Sequence, residues 1–302
     1  MNEEYCGVLC VDKPQGFTSF DVVAKVRGIA RTRRIGHAGT LDPMATGVLP
    51  LFLGRATKAV DLLPQQGKRY TAAIQLGLET DTWDVTGQIL SRRPAAVTRQ
   101  QLEEALARYR GEFAQLPPMY SAVQVGGKRL YELARKGLEV ERAPRRVCIH
   151  RLELLDWEEA AGRLTLEVDC SKGTYIRSLA HDLGRDLGCG GTLAALRRTW
   201  AAGFGLAQCV TLEEVQQAAD AGRLAQLLLP VERVFDCLPP VRLAAKEAHL
   251  FQNGVRLELG RVGVSAPEGA RLAAYGPDGR FLAVAQAAEG QLRLVKRFLL
   301  ED

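Results

Sequence analysis

The sequence predicts an α+β protein: a sheet domain with flanking helices, followed by a small β-barrel or sandwich. Two observations carry this. Strand-like and helix-like segments mix over residues 1–237 without the regular alternation that builds a parallel βαβ sheet. After Leu238-Pro239-Pro240 the texture changes. Short apolar runs are then separated by Asn253-Gly254, Gly260, Pro267, Gly269 and Pro277-Asp278-Gly279, the turn punctuation of a small β module. A length of 302 residues suits one large domain plus a small one. With 47% apolar and 25% charged residues, the composition excludes wholesale disorder, collagen and a disulfide miniprotein.

The elements follow in order. Residues 7–11 read as a strand stopped by Asp12-Lys13-Pro14. Thr18 and Asp21 make a capping-box pattern, and Val22, Val23, Val26 and Ile29 continue at helical spacing. That helix runs into Arg27, Arg31, Arg33 and Arg34. A glycine-punctuated loop, 35–47, leads to an apolar strand, 48–53, and another strand spans 70–76. Residues 79–87 read as a polar turn. Thr98 caps a helix with Leu102, Ala105, Leu106 and Tyr109 on its apolar face and Gly111 just past its end. Residues 163–170 alternate as a strand does, and 173–187 read as a strand-to-helix turn and a helix.

Compartment follows from cysteines and termini. Seven scattered cysteines without a C-x-x-C pair argue against zinc or disulfide frameworks and for a reducing cytosol. The acidic opening, residues 1–5, is unlike a signal peptide, and no apolar run approaches a membrane span. The chain is expected to be cytoplasmic.

Three features carry chemistry. The first is the loop from Gly36-His37-Ala38-Gly39-Thr40-Leu41-Asp42-Pro43 to Gly47. Asp42 is the only acidic residue between Asp21 and Asp61. A lone carboxylate suits a nucleophilic or electrostatic role better than paired acid–base work or a carboxylate-rich metal site. An ordinary Asp-Pro turn gives the same residues, and His37 reads first as a loop-organising hydrogen bonder. The second is Arg177, placed in the first turn of a helix, where the macrodipole disfavours a cation. A carboxylate such as Asp42 would relieve it; a solvated arginine is the plainer alternative. The third is a basic stretch from 118 to 151, with Lys128, Arg129, Arg135, Lys136, Arg142, Arg145, Arg146 and Arg151 against three acidic residues. Its local excess of +5 equals that of the whole chain. Tyr120 and Tyr131 are interleaved, a pattern suited to phosphates and base stacking as well as to a solvated face.

Residues 36–47 resemble the signature loop of the TruB family of pseudouridine synthases. Val11-Asp12-Lys13-Pro14-Gln15-Gly16, residues 61–70, Pro117-Pro118-Met119-Tyr120-Ser121-Ala122, Ser171-Lys172-Gly173-Thr174-Tyr175-Ile176-Arg177 and residues 183–198 fall in the family's order. The resemblance covers about residues 5–300. It implies a mixed, mainly antiparallel sheet domain (1–237) with an RNA-pinching insertion (118–150), then a PUA-like RNA-binding barrel (238–302). It implies isomerisation of uridine to pseudouridine at position 55 in the T loop of tRNA, with help in tRNA folding, no cofactor and no metal. By matching position, Asp42 would act at C1′, Tyr70 would stack on the flipped uracil, and Arg177 would pair with Asp42. Tyr175 and Leu196 would line the pocket, His37 would contact RNA, and Lys58 would support the active-site loop. The short ends resemble the stand-alone form, a monomer without an obligatory protein partner, more than the guide-dependent dyskerin-like form. A base-releasing N-glycosylase, an RNA chaperone without chemistry and a guide-dependent subunit are the competing classes.

Overall fold

The computed structural model describes residues 5–298. The acidic opening, residues 1–4, and the last four residues of the expected C-terminal module lie outside them.

The chain begins with β1 (Gly7–Lys13), α1 (Ser19–Ala30), β2 (Ile35–His37) and β3 (Thr46–Leu53). The strands β4 (Lys68–Leu76), β5 (Leu78–Thr80) and β6 (Ile89–Arg92) precede α2 (Arg99–Ala107) and β7 (Gly111–Gln115). A small hairpin, β8 (Gln124–Val125) and β9 (Lys128–Arg129), is followed by α3 (Leu130–Ala134). Then come β10 (Arg145–Glu158), β11 (Arg163–Cys170), α4 (Ile176–Asp186), β12 (Gly191–Ala201), β13 (Phe204–Gly205) and α5 (Leu212–Asp220).

The central sheet has nine strands in the order β1-β3-β12-β4-β11-β10-β7, with β2 beside β3 and β13 beside β12. Its pairs are antiparallel except β3 with β12. Burial alternates along β4 and β11, so one face carries apolar side chains to the helices. On that face Ile74, Leu166 and Leu193 pack with Leu102 and Leu106 of α2 and with Leu179 and Leu183 of α4. β3 is an unbroken apolar run because both its faces are covered. Val22 and Val26 of α1, with Leu212 and Val215 of α5, close over Leu9, Leu49 and Leu51. Both predicted threonine caps form full capping boxes, at Thr18 and Thr98.

Four expectations change. β1 continues through Asp12 and Lys13, which pair with Val48 and Gly47; the proline, not the charges, ends it. Residues 35–37 leave the expected loop to form β2 against β3. The basic stretch 118–150 is not one insertion. From Arg145 it is already β10, paired to β7 and burying Val147 and Ile149, so the projecting part is 116–144.

The fourth change lies at the C-terminus. A second sheet has the order β14 (Pro240–Arg242), β16 (Arg271–Tyr275), β17 (Phe281–Ala288), β18 (Gln291–Arg297), β15 (Leu257–Glu258). Between β14 and β15 runs a helix, α6 (Ala245–Gln252), in a stretch expected to be all β. Its Ala-Lys-Glu-Ala start favours helix, and Phe251 packs among Leu272 and Ala285. Nor is Leu238-Pro239-Pro240 a free linker. Pro240 opens β14, and Leu238 packs against a cluster containing Val8, Val48 and Phe52 of the first sheet, Phe235, Phe281 of the second sheet and Phe298 just past its strand β18. Those last three rings lie 5.4–5.5 Å apart, centre to centre. Among the described residues no helix is long and apolar enough to cross a membrane.

Candidate active site

The loop between β2 and β3 carries Asp42, and buried polar groups clamp it from below. Ser19, in the first turn of α1, accepts from the Leu41 N–H at 2.8 Å and donates to the Leu41 carbonyl at 3.3 Å. Lys13 is fully buried at the end of β1 and donates to the carbonyls of Phe17 (2.6 Å), Pro14 (2.9 Å) and Pro43 (3.4 Å). Arg198 of β12 is also fully buried and donates to Val48, Gly39 and Thr40 at 2.7, 3.2 and 3.4 Å. Gly47 lets β3 pass the Arg198 backbone: at φ 103°, a Cβ there would sit 2.2 Å from the Arg198 carbonyl oxygen.

From the other side comes α4. Tyr175 caps it, and Gln115 holds both its N–H (2.8 Å) and its carbonyl (3.0 Å). Arg177 follows in the first turn and is 4% exposed. Its Nε lies 2.9 Å from Asp42 Oδ2 and 3.8 Å from Asp84 Oδ2. Its two Nη atoms donate to the Tyr120 carbonyl at 2.8 Å and the Thr82 carbonyl at 3.3 Å. A cation at a helix N-terminus is thus held by two carboxylates and two carbonyls.

Asp42, Arg177, Tyr70, Tyr175 and Leu196 share the wall of one cavity of about 180 Å³, with Lys68 and Ser121 also in its lining. The Ser121 hydroxyl is buried and without a hydrogen-bond partner. His37 and Lys58 are not in that wall. His37 ends β2, and burial pushes its imidazole below its ordinary value. Lys58 extends its ammonium to 3.5 Å from the Arg297 carbonyl, in the C-terminal sheet.

The electrostatics revise the reading of a lone carboxylate. Asp84, distant in sequence and 5% exposed, shares the Arg177 guanidinium with Asp42. Enclosure pushes the Asp42 pKa above the ordinary carboxylate range. Arg177 pulls it back, Asp84 adds to the rise, and Lys13 opposes it. The Asp42 side chain is nonetheless 36% exposed and lines the cavity. Burial lowers the Lys13 pKa to about 8 against the pull of Asp42. Tyr70 is pushed up to about 12 by burial, with the neighbouring Arg198 guanidinium opposing. The wall therefore sets a carboxyl in contact with a guanidinium beside a phenol that keeps its proton at neutral pH.

Sequence reasoning missed Asp84, Lys13, Arg198 and Ser121. Lys13, Arg198 and Ser121 stood inside motifs already singled out. Nothing local marked Asp84, whose place depends on a fold contact.

Two family models match the chain over 27–236. The TruB family pseudouridylate synthase N-terminal domain matches residues 27–176, and the tRNA pseudouridylate synthase B C-terminal domain matches 177–236. A protein of Dehalococcoides mccartyi (strain CBDB1) called tRNA pseudouridine synthase B is 46% identical over 281 residues, 93% of this chain and 92% of that one. One of the same name from Ralstonia nicotianae is 45% identical over 293 residues, 95% and 92% of the two chains. Among solved structures, a chain of a Cbf5-Nop10-Gar1 complex superposes with a TM-score of 0.75 at 26% identity, covering 98% of this chain and 85% of that one. The chain belongs to the TruB family of pseudouridine synthases, enzymes that isomerise uridine to pseudouridine.

Proposed function

We propose that the protein converts uridine 55 in the T loop of tRNA to pseudouridine, with Asp42 acting at C1′ of the extruded nucleotide. The observation that carries this is the Asp42–Arg177 pair in the wall of a cavity bounded by Tyr70 and Leu196. Relatives named for tRNA support the substrate. Extruding a nucleotide from a folded loop costs a few kcal/mol or so, and stacking on Tyr70 returns about 1–3 kcal/mol. A phenol that keeps its proton near neutrality suits that stacking role. The unpaired Ser121 hydroxyl offers a hydrogen bond to the base edge. The chemistry balances internally: C1′–N1 breaks, C1′–C5 forms, C5 loses a proton and N1 gains one. No cofactor enters that balance.

Exposed Lys128, Arg129, Arg135 and Lys136 suit gripping of phosphates by the insertion. Residues 238–302 would serve as a PUA-like RNA-binding module. On this reading a cytoplasmic monomer works without guide RNA or protein partner, and assists tRNA folding as it binds. Wild type should release one equivalent of tritium from a tRNA transcript carrying 5-tritiated uridine, and Asp42→Asn should release none. Tight, salt-dependent tRNA binding without release from the wild type would overturn the reading, and free uracil in the products would replace it with a glycosylase.

A further inference from the structure

Of the eight basic residues in the stretch 118–151, Arg142 stands apart. The other seven are exposed, whereas the Arg142 side chain is 10% exposed and turned inward. One Nη donates to the Pro117 carbonyl at 3.0 Å, tying the two ends of the insertion together. Its guanidinium carbon lies 5.6 Å from the centre of the Trp83 ring, within cation–π range. Trp83 also stacks on His181 of α4, 4.3 Å between centroids and 9° from parallel. His181 is one helical turn beyond Arg177, on the same face.

Trp83 sits between two of the four residues that hold Arg177: the Thr82 carbonyl accepts from Nη1, and Asp84 Oδ2 is 3.8 Å from Nε. Its φ of 64° is a left-handed conformation that a bulky L-residue rarely adopts, so the surroundings must hold it there. Leu193 of β12 does so from one side, donating to the Trp83 carbonyl and accepting from Val85, both at 3.0 Å. Arg142 and His181 hold its ring. The start of the insertion reaches the same guanidinium directly, through the Tyr120 carbonyl.

We propose that Arg142 and Trp83 form a clasp that couples docking of the insertion to the orientation of Arg177 at Asp42, both acting as positioning residues for the isomerisation. The clasp rests on the assignment of Asp42 and Arg177 as the reacting centre. The four outward cations of the insertion, Lys128, Arg129, Arg135 and Lys136, grip RNA while the inward one reports that grip to the catalytic pair. Displacing the insertion withdraws Arg142 from Trp83, releases the strained 82–84 segment and removes the Tyr120 carbonyl, so three of the four contacts that fix Arg177 loosen.

The test separates binding from chemistry, with full-length protein and an unmodified tRNA transcript. The single-turnover rate at saturating enzyme and the Kd for tRNA are measured for wild type, Arg142→Ala, Arg142→Lys, Trp83→Ala, Trp83→Phe and the double alanine variant. Arg142→Ala and Trp83→Ala should each lower the rate about tenfold or more, as small misplacements at a reacting centre do, with Kd within about threefold. Trp83→Phe, which keeps a ring, should recover most of the loss. Arg142→Lys, which lacks the planar fork, should not. The double variant should be no slower than the worse single one, because both break one device. If Arg142→Ala weakens Kd while the saturated rate stays at the wild-type value, Arg142 is an ordinary RNA contact and the clasp is overturned. Additive losses, or no rescue by phenylalanine, overturn it equally. A wild type that forms no pseudouridine would remove the assigned centre and the clasp with it. An active wild type with unaffected variants removes the clasp alone.

Discussion

The loop that carries Asp42, 38–45, and the insertion, 116–144, are built from similar parts and use them oppositely. Both depend on cations. Under the loop, Lys13 and Arg198 are fully buried and spend their donors on backbone carbonyls, which fixes the position of Asp42. In the insertion, Lys128, Arg129, Arg135 and Lys136 face solvent, free for phosphates. The buried cations make a rigid cradle, because moving the loop would strand charges that cannot reach water. The exposed ones make an adaptable grip. Arg177 lies where the two meet, touching Asp42 of the loop and Tyr120 of the insertion.

The comparison breaks most completely at the loop. Asp42→Asn should lower the single-turnover rate by about 10⁴-fold or more, as removal of a group at the reacting centre does. Its folded-state pKa is raised, so its contribution to stability is present at acid pH and lost as pH rises through that pKa. The variant leaves the buried Arg177 guanidinium with Asp84 as its remaining carboxylate, so its unfolding midpoint should fall less than that of Arg177→Met, and a folded variant at the assay temperature separates lost chemistry from lost folding.

Arg177→Met tests the junction. It strands Asp42 and Asp84 around one apolar side chain, and breaking a buried pair costs about 3–5 kcal/mol. Urea unfolding should show that loss, alongside a rate lower by about 10²-fold. A variant of unchanged stability would mean that the carboxylates find water.

Asp84→Asn sharpens the electrostatic half. On the role proposed for it Asp42 reacts as its carboxylate, so the acid limb of the pH–rate profile should lie above the ordinary carboxylate value. Removing the like charge lowers the Asp42 pKa, so the limb should move to lower pH while the plateau rate falls about tenfold as Arg177 loses an anchor. A limb that moves upward would assign it to another group.

The smallest effect belongs to the insertion. Lys128→Ala with Arg129→Ala should reduce the slope of log Kd against log salt by about 1–2 and weaken binding at moderate salt, with the loss appearing in affinity. An unchanged slope would mean that the hairpin does not touch phosphate.

What was legible in the sequence was what is local. The capping boxes at Thr18 and Thr98, the alternation of 163–170 and the turn-rich C-terminal texture are written in neighbouring residues, and each element formed there. The Arg177–Asp42 pair was legible for a physical reason, a cation at a helix start needing an anion. Asp84 was not, because it reaches Arg177 through pairing of its segment with β12, and that register is a long-range property. The inward turn of Arg142 was equally hidden: in the sequence it is one basic residue among eight. α6 escaped because flanking turn residues outweighed eight residues of helix-forming composition.

The cluster of Phe235, Phe281 and Phe298 bears on how such a protein changes over time. A terminal module is usually pictured as a bead that is added, lost or exchanged without touching its neighbour. Here Val8, Val48 and Phe52 of the large sheet share one apolar cluster with both ends of the module. Trimming the chain at residue 237 would turn that interior outward, and each large ring taken from a core costs about 3–5 kcal/mol. Replacing the module therefore means rewriting positions 8, 48, 52 and 235 at the same time. Its ancestry is tied to that of the large sheet by packing.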